Sequence, residues 1–190
     1  MARRGRPFKV AADLLQLAEL VKNNDNDKAK SILIEHGIDA HDQNKRTAII
    51  SAAYYNNLEL LKWLIDNRAF INAQDKNGES ALHIAAQQCN LPLIQMLIKS
   101  GADINLQDCY GRNILMSMLL IGIDNPDIEV IEYLLKNNAN PYSVNKYGIC
   151  AYDVMNDEQR AITQSVIGKR DTVKTADNMQ VNNLVSNPKH

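Results

Sequence analysis

The chain has 190 residues, 45% apolar and 23% charged, with 21 basic against 22 acidic side chains for a formal charge of −1. That balance excludes wholesale disorder, and it excludes the bulk positive field of a nucleic-acid coat or a membrane-surface protein. Three cysteines cannot build a disulfide framework, which points to a reducing compartment, and no run approaches the ~18 apolar residues of a membrane helix.

Residues 1–9 read as a basic arm carrying Arg3, Arg4, Arg6 and Lys9. Apolar spacing at Val10, Leu14, Leu15, Leu17, Ala18 and Val21 predicts a helix over 10–24. Asp13, Gln16 and Glu19 interrupt that stretch, so it is no signal-peptide core. A second helix is expected over 27–36, with Ala29, Ile32 and Leu33 inward and Gly37 ending it.

From residue 42 the chain repeats itself. Asp42, Asp75 and Asp108 open three segments spaced 33 residues apart, and Asn145 opens a fourth after 37. Gly78, Gly111 and Gly148 mark a turn that favours positive φ. Thr47, Ser80 and Asn113 stand where a first helix needs an N-cap. The pairs Ala52-Ala53 and Ala85-Ala86 let that helix lie close to its neighbours. A second helix carries apolar pairs at 60/61 and 64/65, again at 93/94 and 97/98, and at 130/131 and 134/135. Gly37, Gly101 and Asn138 follow these stripes as left-handed caps. Each segment is thus a turn and two short antiparallel helices, and none can bury its face alone.

A 33-residue period with this grammar resembles the ankyrin repeat. The nearest match to the family's signature is Ser80-Ala81-Leu82-His83-Ile84-Ala85, followed by Gly101-Ala102-Asp103-Ile104-Asn105. The resemblance implies an all-α repeat solenoid, an ankyrin-type stack of helix-turn-helix units joined by short β-turn or hairpin loops. It would span 10–167: an N-terminal capping repeat at 10–41, repeats at 42–74, 75–107 and 108–144, and a capping repeat at 145–167. Residues 168–190 read as a disordered tail. The sequence departs from the family pattern at Lys45 and Arg68, which replace turn and cap glycines. Ile50, Met116 and Asp153 stand where the signature histidine would be.

Residues for chemistry are sparse. No histidine pair has metal-ligand spacing and no C-x-x-C occurs, so neither a metal nor a cofactor is expected. Cys89, Cys109 and Cys150 fall at three different repeat positions with no base placed beside them. By family resemblance, His83 is a structural residue. The expectation is a protein without catalysis that stays in the cytoplasm, monomeric when alone, and binds another protein as an inhibitor, an immunity-type protein or an effector.

The resemblance also implies where a partner would sit. Turn tips and first helices of such stacks form a concave face. Its contact positions fall here on Arg46, Tyr54, Tyr55, Lys76, Gln87, Gln88, Tyr110, Arg112, Leu120, Ile121 and Tyr147. The competing reading puts Leu120 and Ile121 in the core. Trp63, mid-stripe on a second helix, is expected in the core. An alternative function rests on the arm: Arg3-Arg4-Gly5-Arg6-Pro7 resembles an AT-hook core, which would make Arg3, Arg4 and Arg6 minor-groove contacts of a DNA-tethered adaptor.

Overall fold

The computed structural model describes residues 12–121 and 127–169. The basic arm, the insertion loop at 122–126 and the chain from residue 170 lie outside the described residues. The helices run in pairs: α1 (Ala12–Lys22) and α2 (Asn26–His36), α3 (Ala48–Tyr54) and α4 (Leu58–Asp66), α5 (Ala81–Gln87) and α6 (Leu91–Lys99), α7 (Ile114–Ile121) and α8 (Ile128–Lys136). Then come α9 (Ala151–Val154) and a last helix, α10, over 157–169. Among the described residues the only β-pairing is an isolated antiparallel bridge between His41 and Thr47.

The first helices form one layer, in the order α1, α3, α5, α7, α9, each beside the next. Alanines allow this closeness: Ala48, Ala52, Ala53, Ala81, Ala85 and Ala86 are all buried. The second helices supply the larger side chains. Leu60, Leu61 and Leu64 of α4, Leu93, Ile94 and Leu97 of α6, and Val130, Ile131 and Leu134 of α8 are fully buried. The apolar core therefore runs along the stack instead of closing around one centre, and each repeat buries its face on its neighbours. Trp63 is half-buried against this core.

The opening Asp or Asn of each repeat shapes its tip. Asp42 Oδ1 accepts the backbone N–H groups of Asn44 at 2.7 Å and Arg46 at 2.9 Å. Asp75, Asp108 and Asn145 accept the equivalent pairs. Neighbouring tips are then tied together. Lys76 N donates to Asn44 O at 2.8 Å, Cys109 N to Asn77 O at 2.9 Å, and Lys146 N to Tyr110 O at 3.0 Å. A second ladder links the loops at the far side of each repeat. Phe70 N, Asp103 N and Asn140 N donate to the side chains of Asp39, Asn72 and Asn105, three acceptors one period apart.

The helix caps differ from the sequence reading at two points. Ser80 and Asn113 cap their helices as expected, accepting from His83 N and Met116 N. Thr47 has the extended backbone of an N-cap, but its hydroxyl makes no capping bond and is buried without a partner. Three residues on, His83 Nδ1 accepts the Ser80 N–H at 3.1 Å, a reciprocal bond that the Ile50 side chain cannot make. In the last repeat Asp153 replaces the signature histidine and does the same work, accepting the Cys150 N–H at 2.8 Å. That departure keeps the capping interaction.

Lys45 (φ 58°) holds the positive φ of Gly78, Gly111 and Gly148, and Arg68 (φ 62°) that of Gly101 and Asn138. A side chain there costs ~1–2 kcal/mol, partly offset by the lower chain entropy of a non-glycine residue when unfolded. Lys45→Gly and Arg68→Gly are each expected to stabilise the fold by roughly 0.5–1 kcal/mol, read as a higher midpoint in urea at unchanged slope. A lower midpoint would contradict this.

Candidate functional site: the tip and first-helix face

Eight positions on from the fifth tip position comes the C-terminal end of the first helix, and the fold brings the two together. Side chains on a helix lean toward its N-terminus, so the end of α3 reaches back toward its own tip. The Arg46 guanidinium lies 5.7 Å from the centre of the Tyr54 ring. One repeat on, Gln87 Nε2 donates to Glu79 at 2.7 Å and to Ser117 of the following repeat at 2.8 Å. In the third repeat the same positions are Arg112 and Leu120.

The rest of the face is built from similar short links. Tyr54 and Tyr55 meet edge to face with ring centres 5.0 Å apart, and both are exposed. Gln88 Nε2 donates to the Tyr54 carbonyl at 2.9 Å, joining the first full repeat to the second. Lys76 Nζ donates to Asn44 Oδ1 at 2.8 Å across the same boundary. Arg46 Nη2 stands 3.7 Å from Asp75 Oδ2. Arg112 holds Asp108 Oδ2 through Nη2 at 2.5 Å and Nε at 2.6 Å, and its guanidinium lies 4.7 Å from the Tyr110 ring centre. This pinned cation and ring form a preorganised pair, the type of group that anchors interfaces.

Character changes along the face. The third tip position is Asn44, Asn77, Tyr110 and Tyr147 in turn, polar at one end and aromatic at the other. Tyr147 is 71% exposed and Leu120 48%. Leu120 therefore lies on the surface, while its neighbours Met116 and Met118 are buried. The Ile121 backbone closes α7, and its side chain lies outside the described residues. Arg3, Arg4 and Arg6 lie outside them too.

His83 is buried and belongs to the frame between repeats. Burial pushes its imidazole down to about 4, against the opposing pull of the Arg112 backbone and the Asp108 carboxylate. Nδ1 is held by Ser80. Burial also pushes the Cys150 thiol up, with Asp153 adding to the effect. A thiol so held is a poor nucleophile. Among the described residues no group of three or more His, Cys, Asp or Glu side chains is placed to hold a metal ion. No described helix is long and apolar enough to cross a membrane.

Two features escaped the sequence reading. The opening Asp and Asn side chains are the tip-forming residues; recurrence at 33-residue spacing ahead of a turn was their signal. Tyr142 and Val144 are 52% and 57% exposed. They occupy the repeat positions of Asn105 and Gln107, whose side chains bond to the repeat at 108–144. Apolar residues where the polar ladder ends were the available clue.

No curated protein matches the chain. A family model described as "Ankyrin repeats (3 copies)" matches it twice, over residues 17–108 and 72–145. Those spans contain the three tips at 42, 75 and 108, the paired helices between them and the two hydrogen bonds that join those tips. Stacks of this kind are in general protein–protein interaction modules. On the matched spans and the stacked helix pairs, the chain belongs to the ankyrin repeat family.

Proposed function

We propose that this protein is a non-catalytic docking module that holds a protein partner against its tip and first-helix face. The observation that carries the reading is the line of exposed aromatic and aliphatic side chains there. Tyr54, Tyr55, Tyr110, Leu120 and Tyr147 stay in solvent although the adjoining helix faces are buried. Rigid aromatic groups lose little entropy when covered, and truncating such anchors typically costs ~2 kcal/mol or more. The hydrogen-bonded tips and the close-set first helices hold these groups in fixed relation, so docking needs little reordering. The mechanism is steric: the face occupies a partner surface in a stoichiometric complex, and so blocks or recruits it.

The test is capture of interacting proteins by the wild type beside a Tyr54→Ala/Tyr55→Ala double variant and a Tyr110→Ala/Leu120→Ala/Tyr147→Ala triple variant. Each variant's circular dichroism melt is compared with the wild type's. The expected result is an unchanged melt and affinity for the captured partner weakened about 30-fold or more, equivalent to ~2 kcal/mol. Equal capture by wild type and both variants would place the interface elsewhere.

A further inference from the structure

The three tips that open on Asp treat that carboxylate differently. In the third, Asp108 Oδ2 is chelated by Arg112 and the guanidinium lies over Tyr110. In the second, position five is Glu79, and Asp75 Oδ2 instead meets Arg46 from the preceding repeat. In the first, Arg46 leans forward onto Asp75 and Tyr54 and leaves its own Asp42 behind. Asp42 Oδ1 is spent on two backbone N–H groups. Its Oδ2 takes no hydrogen bond, and no cation pairs with it among the described residues.

Asp42 lines a half-enclosed notch of about 110 Å³. Leu14, Leu17 and Ala18 of α1 give it an apolar wall, and Gln43, Arg46 and Ser51 line the remainder. Ser51 is buried. Its counterpart Ser117 accepts a hydrogen bond from Gln87, whereas the Ser51 hydroxyl has no such bond. Among the described residues the notch thus combines a carboxylate with no paired cation, a hydroxyl with no hydrogen bond and an aliphatic wall, and the Arg46 guanidinium that also lines it is turned toward Asp75 and Tyr54. An arginine side chain matches all three, with a fork for the carboxylate and a methylene stem for Leu14 and Leu17.

We propose that this notch seats an arginine of the protein partner, with Asp42 as its counter-charge. The proposal rests on the docking reading above and adds the chemistry of one contact. The protein itself demonstrates the fit, since Asp108 accepts a guanidinium at the equivalent place. Asp42→Asn removes the charge and keeps the tip, because Asn145 shapes the last tip with the same two backbone hydrogen bonds.

The test is a titration of the full ¹⁵N-labelled chain with the peptide acetyl-Gly-Leu-Arg-Gly-amide, beside the same peptide with Gln for Arg. The expected result is that the Asn44 and Arg46 amides shift with the Arg peptide. The Gln peptide should bind at least about tenfold more weakly, and the Asp42→Asn chain should lose the response. Equal shifts in Asp42→Asn, or no shift because Arg46 has swung back onto Asp42, would overturn the proposal. A response only after deletion of residues 1–9 would overturn it too, by assigning the notch to the chain's own basic segment. Any of these alongside intact loss of capture in the tyrosine variants would refute the arginine seat and leave the docking face standing.

Discussion

Replacing Gly78 by alanine is expected to destabilise the protein by roughly 2–4 kcal/mol, the largest effect of any single methyl group added to the tips. Two costs combine. Gly78 sits at φ +76°, where an L side chain is strained. A Cβ there would also lie 2.5 Å from Cys109 N and 2.8 Å from Asp108 C, backbone atoms of the next repeat. Those atoms cannot turn aside, because Cys109 N is bonded to Asn77 O. The overlap must be relieved by separating two repeats. At ~2–4 °C per kcal/mol for a domain of this size, the melting temperature should fall by about 5–15 °C. Gly148 is the internal control. It has the same φ of +76° but nothing within 4 Å, so Gly148→Ala should cost only the backbone strain, ~1–2 kcal/mol. Equal losses for the two variants would show that tip-to-tip contact contributes nothing.

Acidification is expected to weaken the stack through His83. Its folded-state pKa, about 4, lies below the ordinary 6.5. The unfolded chain therefore binds this proton first. The stability it contributes is fully present above pH 6.5 and is lost as the pH falls toward 4. The difference is on the order of 3 kcal/mol. Carboxylates also begin to protonate near pH 4, so the measurement is a difference curve. Unfolding free energies of wild type and His83→Gln are followed from pH 7.5 to 4. Glutamine at this helix position can accept the Ser80 N–H but does not titrate. The wild type should lose more stability than the variant across pH 6.5–4. Parallel curves would contradict the assignment of His83 as a buried neutral group.

Much of the fold was legible because stacking imposes a period. Asp42, Asp75 and Asp108 recur at 33 residues since each tip must donate to the one before it, and any slip would break that bond. The alanine pairs and the Leu-Leu and Leu-Ile stripes were readable for the same reason: each meets the same neighbour in every repeat. What failed to show was non-periodic. Thr47 looked like a cap beside Ser80 and Asn113, but its hydroxyl makes no capping bond. Asp153 looked like a lost histidine, yet a carboxylate accepts the same N–H. Leu120 was ambiguous because α7 is apolar nearly all round, so periodicity could not say which side faced water. Asp42 was indistinguishable from Asp75 and Asp108 in sequence. That no cation pairs with it among the described residues arises from the direction Arg46 takes, a choice between two carboxylates that only the packed tips decide.

The central claim is that a partner is held by the tips and first helices. Hydrogen–deuterium exchange of the captured complex tests it most directly. New protection is expected over 43–55, 76–88, 109–120 and 146–149, with α4, α6 and α8 exchanging as they do in the unbound chain. Protection concentrated on those second helices, with the tips unchanged, would contradict it.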